Sequence, residues 1–108
     1  MNDQGNNEHQ LLSEVERGRQ AQDLLQHPLL EQFFTEAEQE LWKAFKESSL
    51  RDADGREKLR LMAYWLEKFH AWLTTHVQTG QMAQIQLQET RSLMERMKEA
   101  VFGQHDPW

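Results

Sequence analysis

The sequence predicts an all-α fold of three to four helices, arranged as an antiparallel helical hairpin or bundle that ends in a heptad-patterned helix. Apolar residues recur at steps of three and four through most of residues 13–102, and helix-capping and helix-breaking residues separate these runs. The chain is 38% hydrophobic and contains no cysteine, which predicts a thin core without disulfides. We expect one helical domain over residues 13–102.

The first helix is predicted to start near Glu14. Ser13 and Glu16 have the spacing of a capping box, in which each side chain satisfies a free backbone N–H. Gly18 weakens the middle of this helix, and His27-Pro28 ends it, because proline disfavours helix for the residue before it. Residues 1–10 contain almost nothing apolar, and residues 1–12 are predicted to form a flexible acidic or polar tail.

The second helix is predicted over residues 28–47, with Pro28 at its first position. Its apolar residues occupy one broad face and its glutamates the other. The period is lost at residues 48–53, and Asp54 with Glu57 offers a second capping arrangement. We place the start of the third helix between Asp52 and Asp54.

The third helix is predicted to be central. Leu66 and Phe69 belong to its main apolar stripe, and Tyr64, Trp65 and Trp72 widen that stripe beyond what one neighbour could cover. Thr79-Gly80 predicts its end, since glycine accepts the left-handed conformation common at helix C-termini.

A fourth helix is then predicted over residues 81–102, followed by a C-terminal tail at residues 103–108. Its apolar residues alternate at steps of four and three, as in a coiled-coil seam: Ala83, Leu87, Thr90, Met94, Met97 and Val101. Two interpretations compete for this seam. It packs on the third helix as a hairpin, or it pairs with the same helix of another subunit.

The charge is distributed unevenly. Residues 1–40 contain nine acidic and two basic residues, whereas residues 41–108 contain nine acidic and ten basic residues. The acidic first part would be repelled by phosphate, which argues against nucleic acid as a partner. No apolar run is long enough to cross a bilayer, so we expect no membrane association and no secretion signal.

No catalytic or metal-binding pattern is present. No two of the five histidines are three or four residues apart, and Glu67 with His70 matches the di-iron Glu-x-x-His step only once. A half-buried structural His70 is the better interpretation. There is no glycine-rich phosphate loop. We therefore predict a protein that is not an enzyme and needs no cofactor.

The number of large apolar side chains predicts an interaction surface. Large apolar side chains beyond the needs of a small core usually mark interfaces, and tryptophan contributes a large contact area. The C-terminal tryptophan could anchor in a partner's pocket or pack back on its own fold. The predicted interface residues are Trp65, Trp72, Met82, Ile85, Leu87, Leu93, Met94, Met97 and Trp108.

Four segments within residues 17–87 carry a family resemblance: Arg17-Gly18-Arg19-Gln20-Ala21, Leu24 through Leu29, Asp52 through Leu59, and Thr79-Gly80 with Ala83. Together they resemble a family of short helical proteins from the virion-morphogenesis modules of tailed bacteriophages and prophages. Family members tend to carry Asn or Asp in place of His27, and Trp-x-x-Thr in place of residues 45–48.

This resemblance implies a non-catalytic virion or assembly component, located in the virion or the host cytoplasm. Its partners would be further copies of itself, other phage structural proteins, or both. The alternative is a small acidic inhibitor or adaptor that binds a host protein through the glutamate-rich face of the first two helices.

Overall fold

Residues 3–102 form three α-helices connected by two short turns. The computed structural model describes residues 3–102, and side chains from residue 7 onwards. The helices are α1 (Asp3–Leu25), α2 (Pro28–Glu47) and α3 (Ala53–Phe102), and no strand occurs among these residues. The all-α prediction is confirmed, as are the breaks at His27-Pro28 and after Glu47.

The start of α2 shows why the chain breaks at residue 27. Pro28 occupies the first turn, and the His27 imidazole Nδ1 accepts a hydrogen bond from the Leu29 N–H at 3.2 Å. His27 is therefore the N-cap of α2. Asn and Asp are among the residues that perform this capping function best.

The turn between α2 and α3 is closed by side chains. The Ser48 hydroxyl donates to the Phe45 carbonyl at 2.6 Å and accepts from Arg56 Nε at 3.2 Å. Asp52 Oδ1 accepts from the Gly55 N–H at 2.9 Å, so Asp52 caps α3, rather than Asp54 as predicted. The predicted start of α3 is confirmed.

The predicted helix end at Gly80 is wrong. The backbone runs without interruption from Ala53 to Phe102, and no glycine in the described chain adopts a positive φ. The third and fourth predicted helices are one helix of 50 residues, about 75 Å long at 1.5 Å per residue. The predicted hairpin between them is therefore wrong.

The predicted start of α1 is also wrong, because the helix begins at Asp3 and includes most of the predicted N-terminal tail. Its first turns lie beside the C-terminal part of α3. Glu8 reaches Arg91 at 3.9 Å, and Leu11 faces Leu87 across a shared groove. Packing against α3 stabilises these first turns as a helix, which their polar composition alone would not do.

Helices α1 and α2 both run antiparallel to α3. Along the α1–α3 contact, Glu8 lies beside Arg91 and Gly18 lies beside Gly80. Further along, the Phe34 and Phe69 rings lie 5.7 Å apart, and the Arg56 guanidinium lies 4.9 Å from the Phe45 ring. Residue numbers rise along α1 and α2 as they fall along α3, and the molecule measures 87 × 31 × 15 Å.

The core is small and lies between α1 and α3. Among residues 7–102, four apolar residues are fully buried: Ala21, Leu73, Ala83 and Leu87. Leu66 is half-buried and Phe69 is 40% exposed, so neither is the centre of the core. The most completely buried of these side chains is Leu73, at 1% exposure.

Candidate protein interaction surface

A line of residues at seven-residue intervals follows α3 along its whole length. Seven-residue intervals keep side chains on one side of a slightly underwound helix, and three residues of the seam predicted for residues 83–101 belong to this line. α1 covers the middle of the line. Its members are Leu59, Leu66, Leu73, Gly80, Leu87, Met94 and Val101.

Gly80 is the position where α1 and α3 touch by their backbones. A Cβ added to Gly80 would lie 2.9 Å from Gly18 Cα and 3.1 Å from the Glu14 carbonyl oxygen. A Cβ added to Gly18 would meet the His76 carbonyl oxygen at 2.8 Å. Both glycines are therefore needed for close helix contact.

Because α1 covers the middle of α3, one predicted interface residue is not available to a partner. Leu87 is 4% exposed and packs inside the chain. Its assignment to an intermolecular interface is therefore corrected to the intramolecular α1–α3 core.

The seven other predicted interface residues with described side chains are exposed along one or another side of α3: Trp65, Trp72, Met82, Ile85, Leu93, Met94 and Met97. These residues do not form one surface. Helical spacing places Met82 and Ile85 on the side of α3 away from the seven-residue line. Trp108 lies outside the described residues.

The most concentrated apolar surface is a stripe on the first half of α3, which we call the aromatic face. It consists of Met62, Trp65, Phe69 and Trp72, which follow one another at steps of three, four and three residues and thus share one side of the helix. Their exposed fractions are 60%, 66%, 40% and 57%.

Neighbouring rings hold the aromatic face in place. Trp65 meets Tyr64 edge to face at 5.5 Å, and Trp72 meets His76 in the same way at 4.5 Å. The Lys68 ammonium lies 5.3 Å from the centre of the Tyr64 ring. The two tryptophans are thus oriented, although they remain open to solvent.

Helix α2 adds apolar surface that the sequence analysis did not assign to an interface. Along its whole length, Pro28–Glu47, no residue is buried, although the helix is strongly amphipathic. Phe33 and Trp42 are 53% and 59% exposed. Phe33 lies 5.9 Å from Phe34, and Phe34 in turn packs on Phe69 of the aromatic face.

The opposite edge of the α2–α3 contact is a cleft of 660 Å³. Trp42 and Phe45 line it from α2, and Leu59 and Ala63 line it from α3. Arg56 and Arg60 stand at its rim, where Arg60 pairs with Glu57 and Arg56 stacks on Phe45. The basic groups are thus engaged within the chain.

The C-terminal part of α3 is a third apolar surface. Met94, Met97 and Val101 are 60%, 60% and 56% exposed at steps of three and four residues. α1 begins at Asp3, close to the level of this segment, and the last two turns of α3 extend beyond the contact between Glu8 and Arg91. This tip retains an uncovered coiled-coil seam.

No metal-binding group is assembled from the residues that the structure describes. No three histidine or carboxylate side chains within residues 3–102 come together as a metal site. His70 is exposed rather than half-buried as predicted, and its ring packs edge to face on Phe34 at 5.3 Å.

Two carboxylates have a lowered pKa, and each belongs to a surface ion pair within its own helix. Hydrogen bonds from Arg19 hold the pKa of Glu16 below its ordinary value, and Arg60 lowers the pKa of Glu57 in the same way. Each shift favours the ionised form, whereas a general acid at neutral pH needs a raised pKa.

Comparison of the chain with protein-family models, curated proteins and solved structures finds no match. Within the described part of the chain, none of the helices combines the length and apolarity required to cross a membrane.

Proposed function

We propose that this chain is a non-catalytic component of a bacteriophage virion or of its assembly, and that it acts through helix–helix contacts. The bacteriophage part of the proposal is supported by the resemblance of residues 17–87 to the morphogenesis family. The contact part is supported by the exposed apolar surface.

The observation that carries the proposal is the mismatch between exposed and buried apolar residues. Four apolar residues are fully buried between residues 7 and 102, while twenty large apolar residues in the same range are at least 40% exposed. A lone soluble chain seldom exposes a large continuous apolar surface, and such surfaces usually mark interfaces. An extended helical protein that works as part of an assembly would have few apolar residues buried within the chain and many exposed for its partners.

Charge supports self-association as one form of this assembly. From residue 41 onwards acidic and basic residues almost cancel, so copies that meet along α3 experience little net repulsion. The excess of negative charge lies in residues 1–40. Assembly through α3 would keep most of that charge on other surfaces.

Sedimentation velocity of the purified protein and mass spectrometry of phage particles test the proposal together. At tens of micromolar we expect a mass above that of the 12.9 kDa monomer, and we expect peptides of the chain in purified particles or in their assembly intermediates. A monomer that is absent from every particle fraction would contradict the proposal and favour the acidic inhibitor or adaptor.

A further inference from the structure

The aromatic face has a spacing that is symmetric about its own centre. The steps from Met62 to Trp65, Phe69 and Trp72 are three, four and three residues, so the stripe reads the same in either direction along α3. Two such stripes brought together in opposite directions about residue 67 place Met62 opposite Trp72 and Trp65 opposite Phe69. This is the self-complementarity that a two-fold interface requires.

We propose that the aromatic face binds a second copy of this chain. The two α3 helices would run antiparallel about a two-fold axis that crosses the aromatic face at the level of residue 67. This inference rests on the proposed function and adds to it the surface, the direction and the register of pairing. Because α2 packs beside α3 at this level, the pair brings both α2–α3 units together as a four-helix arrangement, with Phe33 at its edge.

The area of the face approaches what such a pair requires. If a free side chain of this size offers about 150–250 Å², the exposed fractions of these four residues correspond to about 330–560 Å² per copy. Two copies would then bury about 700–1,100 Å², against a lower bound of about 1,000 Å² for a specific interface, and Phe33 and other flanking side chains add to this area.

The composition of the face also favours a protein contact. Between Leu61 and His76 the charged residues of α3 are Glu67 and Lys68. Glu67 lines the grooves beside α2. Lys68 borders the groove between the two tryptophans, at the edge of the stripe, and its ammonium packs against Tyr64. Aromatic and methionine side chains with a single charged group at their edge are typical of an interface with an apolar centre and a polar rim.

Sedimentation of paired glutamate variants tests which surface carries the pair. Trp65→Glu with Trp72→Glu should convert the dimer to a monomer without loss of helical circular dichroism, because both tryptophans are exposed. Gln78→Glu with Gln81→Glu adds the same charge to exposed positions of α3 and should leave the dimer intact.

The double variant Met94→Glu with Met97→Glu distinguishes a failure of this inference from a failure of the proposed function. We expect this variant to remain dimeric, because the tip of α3 lies outside the proposed contact. A dimer lost in the methionine pair, or retained in the tryptophan pair, would overturn the inference while self-association stands. A monomeric wild type would also overturn it, and the content of phage particles would then decide the proposed function.

Cysteine cross-linking tests direction and register, since the chain has no cysteine of its own. Lys68 and Leu61 lie seven residues apart on the same edge of the stripe. In the antiparallel pair Lys68→Cys meets its own copy near the axis and should form a disulfide-linked dimer. Leu61→Cys would be separated from its copy by about 20 Å and should not. Cross-linking at both positions would indicate parallel pairing and overturn the register.

Discussion

Replacing Gly80 by alanine should destabilise the protein, although the same change stabilises an exposed helix by about 1 kcal/mol. The added Cβ would lie 2.9 Å from Gly18 Cα, a backbone atom that can move only if α1 moves as a whole. We expect a net loss of about 1–3 kcal/mol from overpacking, and a larger loss for Gly80→Leu, which should detach α1.

Thermal unfolding monitored by circular dichroism measures this effect. One kcal/mol corresponds to about 4–8 °C for a domain of this size. Gln81→Ala, at the adjacent exposed position, controls for helix propensity and should leave the midpoint unchanged or raise it. A midpoint that rises in Gly80→Ala would show that α1 and α3 do not touch here.

Replacing Leu73 by alanine should cost about 2–5 kcal/mol. Leu73 is 1% exposed and is the largest fully buried side chain of the described chain, so its truncation leaves a cavity in an already small core. A loss of this size is a large fraction of the stability of a small domain.

Leu61→Ala is the matched control for Leu73→Ala. It makes the same chemical change on the same helix, at a residue that is 43% exposed. Chemical denaturation of both variants should give a clearly smaller loss for Leu61→Ala. Equal losses would mean that the core does not lie between α1 and α3.

The helical breaks could be predicted because their causes are local. Pro28 restricts the residue before it, and the loss of the apolar period at residues 48–53 marks the second break, although the cap there is Asp52 rather than the predicted Asp54. The amphipathic period of residues 28–47 was likewise sufficient to place α2. These signals need no knowledge of what the helix packs against.

Gly80 was misinterpreted because its role is tertiary. Glycine before a polar residue resembles a helix C-terminus, and the sequence alone does not show that Gly18 approaches it from another helix. One signal was present. Gly80 falls seven residues after Leu73 and seven before Leu87, so the apolar period continues through it. Continuity of period indicates a helix–helix contact at glycine rather than a helix end.

The candidate surface was predicted in part. The exposed tryptophans and the methionines of the tip were selected because the apolar residues exceeded what a small core can use. Leu87 was assigned to an intermolecular interface, whereas it packs inside the chain. Its burial could not be predicted, because it depends on α1 beginning as early as Asp3. Phe33 and Trp42 were omitted, because an amphipathic helix is normally assumed to bury its apolar face, whereas α2 buries no residue.

The continuity of α3 underlies every surface described above, and a distance measurement tests it directly. Spin labels on Glu67→Cys and Ser92→Cys occupy exposed positions of a chain without other cysteines. Dilution with unlabelled protein removes distances between copies. Twenty-five residues of unbroken helix predict a pulsed-resonance distance of about 37 Å, whereas a hairpin that turns at Gly80 would bring the labels within about 20 Å, given helix axes 8–10 Å apart. A distance near 37 Å is the result we expect, and the shorter distance would contradict the fold and the surfaces built on it.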